Sequence, residues 1–296
     1  MLSQLNKRVW TVSIAGIVTS ELDIDFEIHK TLRREPNTCS LTIFNLSEAH
    51  RKQIEALNLY DPKRVPGAKT AGASKPAAGV KAGRIPVEIS AGYGDSPSLL
   101  FRGLLRRGVS TFADGTWTTK IEGEDGGRSM YAARVSESFP SGTPKVAVIS
   151  SLVAALGLGL GNLAFILPLI GTKTYASGTI IDGQAADELR RVLRAEGISF
   201  SAQNGVVQFL INGHGIVGGE VQAYPLTSTT GMVGRPSRDA TGEILVTTLL
   251  VPNLAPGGYV ILTSSGYEGL YRIMGTNDKG SSYGQEWYHV LSLLPA

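Results

Sequence analysis

Cysteine is nearly absent. Cys39 is the sole one in 296 residues, which excludes an internal disulfide and suits a reducing compartment. It sits in a strand-like run and reads as a buried structural thiol rather than a nucleophile. Histidine is scarce as well: His29, His50, His214 and His289 lie in separate contexts, with neither HExxH nor His-x-His spacing. Each reads as a solvated or packed side chain, so no metal site and no cofactor is expected. An excess of charge of one sign is also missing. The formal net charge of +3 is too small to argue by electrostatics for a nucleic-acid or membrane surface as partner. The opening Met-Leu-Ser-Gln-Leu-Asn-Lys-Arg-Val-Trp has no apolar core of signal-peptide length, so secretion by that route is not expected. One long uncharged run exists, 146–172, enough to cross a bilayer. Gly157, Gly159, Gly161, Asn162 and Pro168 interrupt it, and it reads as a buried helix, a glycine turn and a buried strand, with no membrane insertion.

What is present is β-rich and turn-rich. The chain is 42% hydrophobic and 18% charged, hence globular, and its 36 glycines suit tight turns between short strands. Over 231–294, apolar β-formers recur in short blocks separated by Pro, Gly, Asn and Asp, the pattern of a small antiparallel barrel or sandwich. At the other end, 8–18 alternates as a strand and 23–29 alternates strictly, with Ile24, Phe26 and Ile28 on one face and Asp23, Asp25, Glu27 and His29 on the other. Pro36 and Asn37 turn the chain into a third strand, 38–46, and Ser47 caps a helix over 48–57. Strands resume at 85–93, 99–111 and 116–123, with Asp114-Gly115 as a hairpin turn.

Between these β units the pattern changes to α+β. A helix is expected over 144–156, with Thr143 as cap and Pro144 in the first turn, and another over 184–195, ended by Gly197. A hairpin over 198–211 turns at Asn204-Gly205. The segment 61–83 has almost nothing apolar, and carries Lys63, Arg64, Lys69, Lys75 and Lys81. It reads as a solvated insertion or as a basic arm that orders against an acidic partner.

No catalytic constellation assembles. Glu122, Glu124 and Asp125 form the densest carboxylate cluster, but residues one or two apart in a Gly-Glu-Asp-Gly-Gly turn do not set opposing acid and base across a glycan bond. Gly157-Leu-Gly-Leu-Gly-Asn lacks the Lys-Ser/Thr of a phosphate-binding loop and follows a helix rather than a strand. Arg102, Arg106 and Arg107 form a basic set on one strand, suited to lining a lumen, to pairing with acidic neighbours or to protecting a sheet edge. Trp10, Trp117 and Trp287 fall in strands, where core or subunit-interface packing is expected, not base stacking.

Taken in order, these features resemble the baseplate hub protein of contractile-tailed bacteriophages, a tail hub or late control D-like family. The strand Cys-Ser-Leu-Thr-Ile-Phe-Asn-Leu-Ser running straight into a helix resembles the family's N-terminal barrel. The helix, glycine turn, 183–197 block and Asn204-Gly205 hairpin resemble its middle. Gly-Arg-Pro, Pro-Asn-Leu-Ala-Pro-Gly, Arg-Ile-Met-Gly and Glu-Trp-Tyr-His-Val resemble its C-terminal part. The likeness spans nearly the whole chain, with the 61–83 insertion and the apolar 146–170 region as departures.

The resemblance implies a mainly β protein: two small tail-tube-like β-barrel domains, 1–122 and 223–296, flanking an α+β domain, 123–222. It implies a non-enzymatic homotrimer whose paired barrels make a pseudo-sixfold ring, joining the tail tube to a trimeric central spike protein. Tail tube or tube-initiator proteins, the tape-measure protein and baseplate wedge proteins are the other implied partners, with DNA passing through the channel without sequence-specific binding. The location implied is the virion tail baseplate, assembled in the host cytoplasm. The alternative from another class is a cell-wall-degrading tail-associated hydrolase, which needs converging carboxylates or a metal. A membrane-inserting β protein is the third reading, opposed by the charged strand faces.

Overall fold

The computed structural model describes residues 7–57, 85–95, 97–211 and 223–296. The basic segment 61–83 and His214 lie outside the described residues. The first strand expected over 8–18 is two, Arg8–Ile14 (β1) and Ile17–Thr19 (β2). Ala15 and Gly16 both take positive φ, 52° and 85°, and fold the run into a tight hairpin. Ile24–Thr31 (β3) and Asn37–Phe44 (β4) pair antiparallel, with Ile24, Phe26 and Ile28 buried on one face as the alternation requires. Glu48–Ala56 (α1) starts at Ser47, whose hydroxyl accepts the His50 N–H, and buries Ile54. Pro86–Tyr93 (β5), Ser98–Ala113 (β6) and Thr116–Asp125 (β7) complete the first β unit. Asp114 and Gly115, with φ of 50° and 76°, turn β6 into β7.

The middle of the chain contains Gly127–Ala132 (α2), Arg134–Phe139 (β8), Lys145–Leu156 (α3), Gly159–Leu160 (β9), Leu163–Ile170 (α4), Thr179–Gln184 (β10), Ala185–Arg194 (α5), Ile198–Gln203 (β11) and Val206–Ile211 (β12). Helix α5 buries Ala185, Ala186, Leu189, Val192 and Leu193, with Asp187 and Glu188 at its start and Arg191 and Arg194 at its end, where the helix dipole favours each sign. Pro144 rather than Thr143 occupies the cap of α3, because the Thr143 hydroxyl donates to the Pro140 carbonyl. The buried strand expected after the glycine turn is the helix α4. An uncharged apolar run does not by itself separate the two forms. Asn162 decides it: its side-chain amide donates to the Phe209 carbonyl and accepts the Phe209 N–H. That takes the edge of β12 on which a strand would have continued.

The last β unit comprises Tyr224–Leu226 (β13), Met232–Arg238 (β14), Ile244–Leu249 (β15), Tyr259–Ser264 (β16), Tyr267–Ser281 (β17) and Trp287–Pro295 (β18). One hydrogen-bonded path runs β14-β15-β18-β17-β3-β4-β7-β6-β5-β1-β2, with β16 and β13 added on β17. The 15-residue β17 makes this possible. Its first half pairs with β16; past a register shift between Ile273 and Gly275, its second half pairs with β3, from Gly275↔Thr31 to Ser281↔Asp25. Phe26 lies over Gly280 at this junction, where a Cβ would overlap the ring.

The protein is therefore mainly β with an α+β middle, and the flanking units are open sheets rather than closed barrels. The physical reason is visible at β3. Its outer edge is occupied by β17, leaving no ladder among the described residues to join β3 to β1 or β2. The first unit instead curls, so that Val12 and Ile14 of β1 share one core with Ile24 and Ile28 of β3, and the Trp10 indole N–H donates to the Leu22 carbonyl across the gap. Separate cores fill the middle, around Leu152, Leu189 and Phe209, and the last unit, around Val246, Val260 and Leu291.

Candidate functional site

The groups weighed for chemistry in the sequence do not converge. His50 is exposed on α1, and exposed His29 lies 3.4 Å from Glu27. Cys39 is buried in β4, and burial pushes its thiol up, away from the reactive thiolate. Glu122, Glu124 and Asp125 belong to strand β7, not to a turn, so alternation sends Glu124 toward Arg106, at 2.6 Å, and turns Asp125 into the interior. Arg102 reaches Glu88 on β5 at 2.8 Å. Both arginines pair with acidic neighbours, one of the three roles the sequence left open; these pairs are solvent-exposed and contribute little. Gly157 ends α3 with φ 67°, and Gly159–Leu160 runs parallel to β12, which leaves no phosphate cradle. Trp117 lies at the surface against Phe112 and under the Arg51 guanidinium, 3.7 Å from the ring centroid.

The polar groups that the fold does gather lie at its seams. At the β3–β17 junction, His289 is buried between an Asp278 carboxylate oxygen, 2.7 Å from Nδ1, and the Val251 carbonyl, 3.0 Å from Nε2. Lys30 is buried beside them, donating to the Leu100 carbonyl at 2.8 Å and lying 3.6 Å from the second Asp278 oxygen. Burial alone would raise the Asp278 pKa; the neighbouring His289 and Lys30, and the hydrogen bond with His289, outweigh it and hold the carboxyl below its ordinary range. The sequence reading missed Lys30 and Asp278. The signal was there: Lys30 continues the Ile24, Phe26, Ile28 stripe, which puts an ammonium on the apolar face.

The His–Asp pair has the form of the orienting half of a hydrolytic triad. Its geometry rules out that use here, since the second imidazole nitrogen faces a carbonyl instead of a hydroxyl or thiol, and His289 and Asp278 are 1% and 0% exposed.

A second polar seam fastens the middle of the chain to the first β unit. The Asn37 amide donates to the Ala202 carbonyl at 2.9 Å, to Gln203 at 3.0 Å and, at 3.4 Å, to Asp125. Asp125 accepts the Gly205 N–H at 2.8 Å, and Gln203 donates to the Thr31 carbonyl. Burial raises the Asp125 pKa against those hydrogen bonds. A third contact is apolar. Trp287 of β18 inserts into the first core, edge-on to Trp10 and Phe26 with centroids 6.2 and 5.6 Å away, and its indole N–H donates to the Gly92 carbonyl. Among the described residues no group of three or more His, Cys, Asp or Glu is placed to hold a metal ion, and no helix is long and apolar enough to cross a membrane.

The arrangement of two β units around an α+β middle is a fold also found in solved tail proteins. The chain is similar to the tail protein from Neisseria meningitidis MC58, with TM-score 0.60 and 9% identity, over 97% of this chain and 96% of that one. It is similar to the 43 kDa tail protein of prophage MuSo2 from Shewanella oneidensis, with TM-score 0.59 and 10% identity, over 98% of both chains. An E. coli protein described as a component of the type VI secretion system, with structural similarity to T4 bacteriophage tail proteins, matches with TM-score 0.54 and 10% identity, over 96% of this chain and 76% of that one. None of the three is described as an enzyme. No family model and no curated relative matches the chain. At these identities the shared property is the fold.

Proposed function

We propose that this protein is a structural hub of a contractile phage tail baseplate. Three copies form a pseudo-sixfold ring that joins the tail tube to a trimeric central spike and leaves a channel for tape measure and DNA. The observation that carries this reading is the β3–β17 ladder, seven residue pairs long, which lays two β units side by side in one sheet. A chain built that way occupies two neighbouring positions of a six-position ring, so three chains suffice to close it.

The tail-protein fold, covering the chain almost end to end, supports the same reading. The buried polar seams fit a part that transmits load as one body, with units 1–122, 123–222 and 223–296. Among the described residues the sheet path ends on β14 and β2, and such edges suit burial against a neighbouring copy. The separation of Glu124 from Asp125, on opposite faces of β7, speaks against the hydrolase reading. Negative-stain images of the purified protein test the proposal. Annular particles with threefold symmetry and a stain-filled centre are expected; solid particles without a hole, even with the spike protein added, would count against it.

A further inference from the structure

The turn between β3 and β4 and the C-terminal end of α5 face one another across a cleft that borders the polar seam at Asp125 and Ala202. Its volume is about 290 Å³, and Arg33, Arg34, Arg190 and Arg194 stand around a floor that includes Met130 and Phe200. A neighbouring depression of about 440 Å³ shares Arg34, Arg190 and Arg194. Two of these guanidinium groups are committed: Arg33 to Glu243 at 2.5 Å, and Arg190 to Asp187 at 2.7 Å while lying over the Phe200 ring. Arg34 and Arg194 make no ion pair among the described residues, and both are exposed.

We propose that this cleft binds an acidic segment of a partner protein, one carrying an aliphatic side chain between carboxylates. Arg34 and Arg194 supply two planar forks that match carboxylates bidentately, and Phe200 with Met130 supplies the apolar seat for the side chain between them. A nucleic acid fits less well. The cleft is a half-open depression of limited volume rather than an extended groove that would track a phosphate backbone. One chain carries the whole site, so its test and that of the ring are independent.

The probe is a fluorescein-labelled nonapeptide of Glu, Leu and Ser, with Glu on both sides of each Leu, followed by anisotropy at low salt. Saturable binding is expected, weakened about tenfold or more in Arg34→Ala/Arg194→Ala and only in part by the paired lysine substitutions, which keep charge but lose the fork. Both side chains are exposed and make no ion pair among the described residues, so the variants should melt with the parent protein, which checks that they fold. Equal binding by the alanine variant would overturn the proposal. So would no binding up to about 1 mM, or displacement of the peptide by an equally charged single-stranded oligonucleotide in preference to unlabelled peptide.

Discussion

Replacing Asp278 by leucine should cost about 3–5 kcal/mol of stability, because it leaves the Lys30 ammonium buried with no counter-charge and His289 Nδ1 without its hydrogen-bond partner. Neither side chain is placed to reach water: Lys30 is 5% exposed and His289 1%. The loss should be read from the urea midpoint, and it should shrink when Lys30→Met is added, since that variant removes the stranded charge. The double-mutant cycle isolates the coupling. A loss below about 1 kcal/mol would mean the network is hydrated or rearranges freely. The same carboxylate sets a pH dependence. The folded-state pKa of Asp278 lies below the unfolded value, so its contribution is full above the unfolded pKa of about 4 and is lost as pH falls through the folded value. The Asp278→Leu variant should therefore show a flatter acid limb than the parent protein.

Trp287→Ala should cost a similar amount, about 3–5 kcal/mol, for a different reason. The indole is 2% exposed and belongs to the last strand of the chain, yet it packs in the core of the first β unit. Removing it opens a cavity there and leaves the Gly92 carbonyl without its donor. Trp287→Phe keeps the edge-on contact with Phe26 and should lose clearly less. The informative reading is cooperativity. If Trp287 couples the two β units, the alanine variant should unfold in a broader or two-step transition, whereas a single sharp transition at unchanged midpoint would show that the seam does not depend on it.

Much of the local structure was legible in the residues. The alternation from Asp23 to His29, the Ser47 cap, and the turns at Asp114-Gly115 and Asn204-Gly205 are decided within a few residues, and each lies where the pattern puts it. Most of what escaped depends on distant partners. Ala15-Gly16 forms a hairpin in which Ala15 takes a positive φ that residues with a Cβ rarely adopt, so the run 8–18 read as one strand despite Gly16. The run after Gly161 is a helix because Asn162 meets Phe209, far along the chain. The open sheet follows from β17 taking the edge of β3, a pairing between opposite ends of the sequence. The buried seams were hidden for the same reason. Lys30 is an anomaly on an apolar stripe, but only the fold shows that Asp278 and His289 answer it. Asn37 likewise looked like a turn residue and is the knot that ties β11 to β4.

Light scattering on a size-exclusion column, run across a range of protein concentrations, tests the ring most directly. The expected mass is three times the 31.4 kDa of one chain, unchanged on dilution, since an obligate ring buries large interfaces. A mass of one chain at every concentration, persisting after the spike protein is added, would contradict a trimeric hub.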